Sequence, residues 1–380
     1  MTPLRIAECG MRISNATGCG LRNPQSAFRN PQYTNARGLA VGNLIVALVV
    51  IAAISGIVLL VISGQPGRPD DPIYNYSSVD LPPTDPALIH YRQVAEIRLQ
   101  FDKPRGLAVD AQRNVYVAGE YLERTCWLAP GEIPPPGSPR KPVQLPQPGQ
   151  CVAVDSAGQA YVGLKDRVAV VGPDYKLEEW PAIGGNADIS SIACTPDGKD
   201  VFVADRGNSF VVHFDGDGKI VGYIGRDEET RKPNRYRTQM LRCFDLAIGT
   251  DGLLRVVDPD RHAIDTYSLD GRLEHRLELP RSGVEGSHGC CNPTDIAMFP
   301  DGRMAAADKG TLLPRVKVYD DAGKMVSVVA GPGTFANDEA LLDLAVDGAG
   351  RVYVLDKFRK TVRVFEKLPQ TSSQSRPGNG

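Results

Sequence analysis

One phrase recurs six times along the chain: an apolar stretch, a tight turn of the Asp-Gly kind, and a second apolar stretch that often ends in Asp. The copies are GLAVDAQRNVYVAG (106–119), CVAVDSAGQAYVGL (151–164), SIACTPDGKDVFVAD (191–205), DLAIGTDGLLRVVD (245–258), DIAMFPDGRMAAAD (295–308) and DLAVDGAGRVYVLD (343–356). Their starts lie 40 to 54 residues apart. Such a period, built from short strands, is typical of β-propeller blades. The sequence therefore predicts an all-β, six-bladed propeller.

Further apolar stretches follow most copies and predict the two outer strands of each blade. In the third copy these are Phe210–Phe214 and Ile220–Ile224. The phrases resemble NHL repeats over residues 93–367, and VADRGNSFVVHFDGDGKIVGYIG in the third copy is the best match. The resemblance implies an NHL-type propeller, a fold that generally serves as a recognition platform.

The last blade needs a strand from elsewhere. After the sixth copy only one apolar stretch, Thr361–Glu366, precedes a polar tail. We expect Val94–Phe101 to pair beside Val362–Phe365, because this closes the ring and removes two exposed strand edges. The propeller is thus predicted over 90–368.

A single transmembrane helix is predicted before the propeller. No charged residue lies between Arg37 and Arg68, and Leu44–Ile62 is almost entirely Leu, Ile, Val and Ala. About 20 such residues span a bilayer. Five arginines and one glutamate precede the run, and aspartates follow it. The positive-inside rule then predicts an uncleaved signal anchor over 38–64 in the cell membrane, with a cytoplasmic N-terminus and an extracytoplasmic propeller.

A cleaved signal peptide is the alternative, but the run is long for one and lacks a clear small-x-small cleavage site. The flanking segments are poor in apolar residues. We expect a disordered cytoplasmic tail over 1–37, a Pro-rich stalk over 65–89 and a disordered tail over 369–380.

The long connections between strands predict where the partner binds. Connections 225–243, 279–293, 309–314 and 330–341 all fall on one face of an antiparallel propeller, which we call the long-loop face. The first of them carries the candidate binding residues Arg226, Arg231, Arg235 and Arg237. They form either a patch for an anionic partner or an ordinary solvated loop. The formal net charge of −2 gives no reason to expect nucleic acid.

Three aspartates open the first strands of the last three copies, at Asp245, Asp295 and Asp343. The repeat register places them around the mouth of the central channel on the long-loop face. They are candidate binding residues for a cation, or they cap the backbone of neighbouring blades. Both interpretations stay open at this point.

A group of cysteines is expected at the same mouth. Cys151 occupies the ring position of Asp245 and Asp295, while Cys243, Cys290 and Cys291 lie just before first strands. An extracytoplasmic compartment favours disulfides. Alternatively, these thiols and His288 bind a soft or borderline metal such as zinc or copper, although no CxxC or HExxH spacing is present.

The segment His288-Gly-Cys-Cys-Asn-Pro-Thr-Asp295 resembles the corresponding part of the peptidyl-hydroxyglycine amidating lyases. In that family of six-bladed NHL propellers, histidines at the channel mouth hold zinc, and His288 matches one such position. The other four histidines do not fall at equivalent places, so a three-histidine zinc site is not expected.

The sequence favours a non-enzymatic binding or scaffold protein that recognises a protein or small ligand on its long-loop face. The alternative is a metal-dependent lyase or hydrolase, or a cysteine-based redox module, at the channel mouth. A single metal ion is the cofactor that this alternative implies. The sequence itself requires none.

Overall fold

The computed structural model describes residues 84–126, 142–236, 244–258, 260–280, 285–286, 292–309, 315–331, 333–335 and 342–369. The predicted tail 1–37, signal anchor 38–64 and C-terminal tail lie outside these ranges, apart from residue 369, as does most of the stalk. None of the helices formed by the described residues has the length and apolar character that a bilayer crossing needs.

The described strands form six four-stranded antiparallel sheets, which confirms the six-bladed propeller. Strand β1 is Tyr91–Arg98, and it follows a short 3-10 helix at Pro86–Leu88. Blade one contains β2 (Gly106–Val109), β3 (Asn114–Ala118), β4 (Tyr121–Cys126) and β5 (Val143–Gln144). Blade two contains β6 (Cys151–Val154), β7 (Ala160–Gly163), β8 (Val168–Val171) and β9 (Leu177–Glu179).

Blade three contains β10 (Ile189–Cys194), β11 (Asp200–Asp205), β12 (Phe210–Asp215) and β13 (Ile220–Ile224). Blade four contains β14 (Leu246–Ile248), β15 (Leu254–Asp258), β16 (Ala263–Tyr267) and β17 (Leu273–Glu278). Blade five contains β18 (Asp295–Met298), β19 (Met304–Asp308), β20 (Arg315–Tyr319) and β21 (Met325–Ala330). Blade six contains β22 (Asp343–Val346), β23 (Val352–Asp356), β24 (Thr361–Lys367) and β1.

The recurring phrase forms the two inner strands of each blade, and in five of the six blades a glycine occupies the left-handed position of the turn between them, which Arg113 takes in blade one. Gly198 and Gly302 have φ values of 68° and 87°, in the left-handed region that glycine enters without strain. The second strands are buried on both faces, as β19 and β23 show. Each blade therefore packs apolar side chains against both neighbours, for example Val316 of blade five against Leu344 of blade six.

The ring is closed as predicted, because β1 runs antiparallel to β24 as the outer strand of blade six. Ile97 lies opposite Val362 in this ladder. The strand begins at Tyr91 and ends at Arg98, so it lies three residues before the predicted Val94–Phe101. The residues just before it pack on blade five, where Ile89 forms a bridge with Val328.

Candidate functional site

Six equivalent positions surround the channel mouth, one near the start of the first strand of each blade. We call them ring positions. They are Gly106, Cys151, Ser191, Asp245, Asp295 and Asp343, each of which pairs with, or is hydrogen-bonded to, the last or next-to-last residue of the second strand of its blade. Three of the six are the aspartates predicted from the repeat register, which we call the mouth cluster. The inner strands of all six blades line one cavity of about 230 Å³ at this place.

Each aspartate of the mouth cluster accepts a hydrogen bond from the next blade. The Oδ2 atom of Asp245 lies 2.7 Å from the backbone nitrogen of Ile296, and Oδ1 of Asp295 lies 2.9 Å from that of Leu344. Asp343 accepts the backbone N–H of Leu107 in the same way. Of the two interpretations of these aspartates, backbone capping is therefore present in all three.

Ser191 continues this series in blade three. Its Oγ accepts a hydrogen bond from the backbone N–H of Leu246 at 3.1 Å, so blade three is linked to blade four as blade four is to blade five. Its hydroxyl also bonds to Asp245. Ser191 was not predicted as a site residue, although alignment of the third copy with the others puts it at the ring position.

The carboxyl groups of the mouth cluster do not all ionise together. Burial raises the pKa of Asp295 well above its usual value, and the nearby charges of Asp245 and Asp343 raise it further. Burial also raises the pKa of Asp343, although the charge of Lys357 and a hydrogen bond from Asp295 oppose this. The same bond raises the pKa of Asp295, so Asp295 is the donor. Burial raises the pKa of Asp245 to about 7.

Two basic side chains complete the lining of the cavity. The Nζ atom of Lys357 lies 3.8 Å from Oδ2 of Asp343, and the lysine side chain is 27% exposed. Arg105 donates from Nη1 to Oε1 of Gln150 at 2.6 Å. Neither residue was among the predicted site residues. Lys357 directly follows the last residue of β23, so the register of the sixth copy could have indicated it.

Blades one and two approach each other too closely for a side chain at ring position 106. A Cβ atom on Gly106 would lie 2.5 Å from Cα of Cys151, so only glycine fits there. Cys151 is buried and is a free thiol, as are Cys126 and Cys194 among the described residues. Burial raises the pKa of the Cys151 thiol, and the charges of Asp343 and Asp245 add to this. The neutral thiol is therefore the stable form.

The predicted arginine patch is largely engaged in contacts within the propeller. Nε of Arg235 lies 3.0 Å from Oδ2 of the buried Asp265. The guanidinium of Arg226 stacks 3.7 Å from the centroid of the Tyr223 ring. Arg231 has a φ of 56° and is exposed. Of these three arginines, Arg231 is thus the one that presents its side chain mainly to solvent.

The remaining predicted site residues lie outside the described residues. They are Arg237, Cys243, His288, Cys290 and Cys291. The described residues do not assemble three or more His, Cys, Asp or Glu side chains in an arrangement that could hold a metal ion. The metal and disulfide interpretations of the four predicted ligands after residue 242 therefore stay predictions.

No protein-family model and no curated protein matches the chain. Several solved structures are similar to it. A streptogramin B lyase is 13% identical over 73% of this chain and 98% of that one, with a TM-score of 0.51. Virginiamycin B lyase from Staphylococcus aureus is 15% identical over 74% and 90% of the two chains, with a TM-score of 0.47. A protein of unknown function from Bacteroides thetaiotaomicron is 14% identical over 72% and 71%, with a TM-score of 0.49. At such identities the likeness shows the propeller fold alone.

Proposed function

We propose that this chain is a membrane-anchored, extracytoplasmic binding module of the NHL type. It binds a protein or small ligand on the long-loop face, and one group of that partner enters the channel mouth. The uncharged run over 38–64 and the arginines before it support the anchor and its orientation.

The observation that carries the binding proposal is the cavity at the mouth. Its volume of about 230 Å³ lies below the range typical of sites for whole small molecules, about 300–1,000 Å³. It therefore suits a side chain or a small terminal group. The carboxyl groups of Asp245 and Asp343 offer acceptors there, so the entering group carries N–H or O–H donors, as an ammonium or guanidinium group does.

An exposed aromatic side chain is adjacent in sequence to a residue that lines this cavity. Phe358 is 62% exposed and directly follows Lys357, whose side chain lines the cavity. Its turn is held in place because Arg359 donates to the carbonyl of Thr334 at 2.9 Å. An exposed aromatic ring on a fixed turn beside a polar pocket has the features of an interface anchor. Phe358 would pack against the partner while the partner's polar group enters the channel.

Site-specific photo-crosslinking in cells tests this proposal. A benzoylphenylalanine at position 358 is expected to capture a discrete partner, whereas the same residue at position 221 is not. Val221 is a matched control because it is 51% exposed on β13, an outer strand. Combining the probe at 358 with Asp343→Asn should reduce the adduct at least several-fold. Equal labelling from 358 and 221, or an adduct indifferent to Asp343→Asn, would contradict the proposal.

A further inference from the structure

Blade five holds two buried cations on the same side of one strand. Arg315 is 4% exposed and Lys317 is 0% exposed. They are two residues apart on β20, so their side chains leave the same face of the sheet. Tyr319, two residues further on, packs with Val257 and Ile264 of blade four. Both cations therefore lie at the seam between blades four and five.

Lys317 has a full set of partners. Its Nζ atom forms an ion pair with Asp308 and donates to the carbonyl oxygen of Gly286 at 2.9 Å. It also lies 5.5 Å from the centroid of the Tyr319 ring. Because Lys317 engages the Asp308 carboxylate, it uses the acidic group that would otherwise pair with Arg315.

Arg315 is left without comparable partners. It lies directly opposite Asp308 in the ladder of β19 and β20, yet its buried Nε and Nη2 atoms make no hydrogen bond with any described residue. Burial opposes its charge and lowers its pKa, and Asp308 acts only as a nearby compensating charge. A guanidinium is not deprotonated in proteins, so this residue cannot become neutral to relieve the burial.

We propose that a small monovalent anion binds beside Arg315 at the seam of blades four and five. Among the described side chains buried here, Arg315 and Lys317 carry two positive charges and Asp308 one negative charge, so one further negative charge balances these three. The unpaired Nε–H and Nη2–H groups donate to it. Chloride and a small carboxylate share this chemistry, and the seam is separate from the cavity at the channel mouth.

Thermal unfolding of the full chain in a nonionic detergent tests the proposal. Chloride is titrated against gluconate at constant ionic strength, because gluconate is too large for a buried seam. The melting temperature should rise with the logarithm of the chloride concentration above Kd, by on the order of 5 °C at a hundredfold excess over Kd. A parallel titration with acetate distinguishes the two sources, since a site for carboxylates responds to acetate as well. Identical melting in chloride, acetate and gluconate would overturn the proposal, whatever the variants do.

The variant Arg315→Met tests whether Arg315 is the residue that binds the anion. This variant should lose the anion dependence and, in gluconate, should melt no lower than the wild type, because an uncompensated buried charge has been removed. Arg351→Met is the matched control. Arg351 is 11% exposed and its Nε lies 2.7 Å from Oδ2 of Asp347, so its loss should lower melting equally in every salt. An Arg315→Met protein that still responds to chloride would refute the assignment.

Discussion

Asp295 is the residue on which the protonation of the mouth cluster depends. Its pKa is raised by burial and by the neighbouring carboxylates, and it donates to Asp343. The unfolded chain has an aspartate pKa of about 3.9. The folded protein therefore holds this proton more tightly than the unfolded chain does. The stability that the proton contributes is complete below about pH 4 and is lost as the pH rises through the folded pKa.

Asp295→Asn should remove this pH dependence. An asparagine keeps an oxygen for the N–H of Leu344 and can donate permanently to Asp343, as the protonated aspartate does. We expect the variant to match the wild type near about pH 3.5 and to exceed it at pH 8 by about 1–3 kcal/mol in the free energy of unfolding. Urea denaturation of residues 65–380 at both pH values measures this.

Asp301→Asn is the control for that experiment. Asp301 lies in the turn between β18 and β19, away from the mouth, and the Arg303 guanidinium lowers its pKa. Its replacement should give no gain at pH 8. A variant at 295 that is less stable than the wild type at every pH would show that the proton is not shared as described.

Two free thiols, the buried Cys151 and the partly buried Cys194, allow a second prediction at this scale. Burial raises the pKa of both Cys151 and Cys194, and the thiolate is the reactive form. In the folded protein both should react with Ellman's reagent far more slowly than in urea, where both should react at once. Peptide mapping after labelling identifies the two sites. A disulfide at either position in the purified protein would contradict the free thiols seen here.

The candidate site could be predicted from the sequence only in part, as particular residues show. The repeat register placed Asp245, Asp295 and Asp343 at one channel mouth, because residues at equivalent positions of a closed ring must meet. The register could not decide between cation binding and backbone capping. Which groups the aspartate oxygens accept depends on the distance between neighbouring blades. The pairing of Arg235 with Asp265, 30 residues later, is likewise a tertiary contact that no local pattern shows.

At the scale of elements, strand β1 closes the ring and should control its stability. It pairs with β24 from Tyr91 to Arg98, and Ile97 packs beside Val362 and Leu355. Without it, blade six loses its outer strand and exposes a strand edge. We expect deletion of residues 84–101 to abolish cooperative thermal unfolding, whereas deletion of 370–380 should leave it unchanged.

A synthetic peptide spanning 84–101 sharpens this test. Added to the truncated propeller, it should restore a cooperative transition, because its ladder with β24 needs no covalent link. A peptide with Ile97→Asp should not restore it, since that side chain packs into the apolar cluster of blade six. A truncated protein that melts like the full chain would refute closure by β1.

The strands themselves were largely predictable because each inner strand repeats a pattern six times, so a weak local signal is reinforced. The outer strands were harder to predict from the sequence. In blade one β5 has only two residues, Val143 and Gln144, and follows a Pro-rich stretch. Such a short strand has no periodicity of its own. It is fixed by pairing with Tyr121 and Leu122 of β4.

At the scale of the whole molecule, the proposed anchor decides where the propeller works. Full-length protein should fractionate with membranes and resist extraction by alkaline carbonate. Proteinase K added to intact cells should remove the propeller, because the arginines before residue 38 favour an orientation with the N-terminus inside. Deletion of 38–64 should leave the propeller soluble and protected inside the cell.

The same experiment separates an anchor from a cleaved signal peptide, which would release a shorter chain into the soluble extracytoplasmic fraction. Orientation has its own control. If Arg5, Arg12, Arg22, Arg29 and Arg37 are all replaced by Gln and lysines are placed at 65–67, the charge bias reverses. The propeller should then become protected from added protease in a fraction of the molecules. A propeller that stays protected in the unmodified chain would place the long-loop face in the cytoplasm, and its partner would have to be sought there.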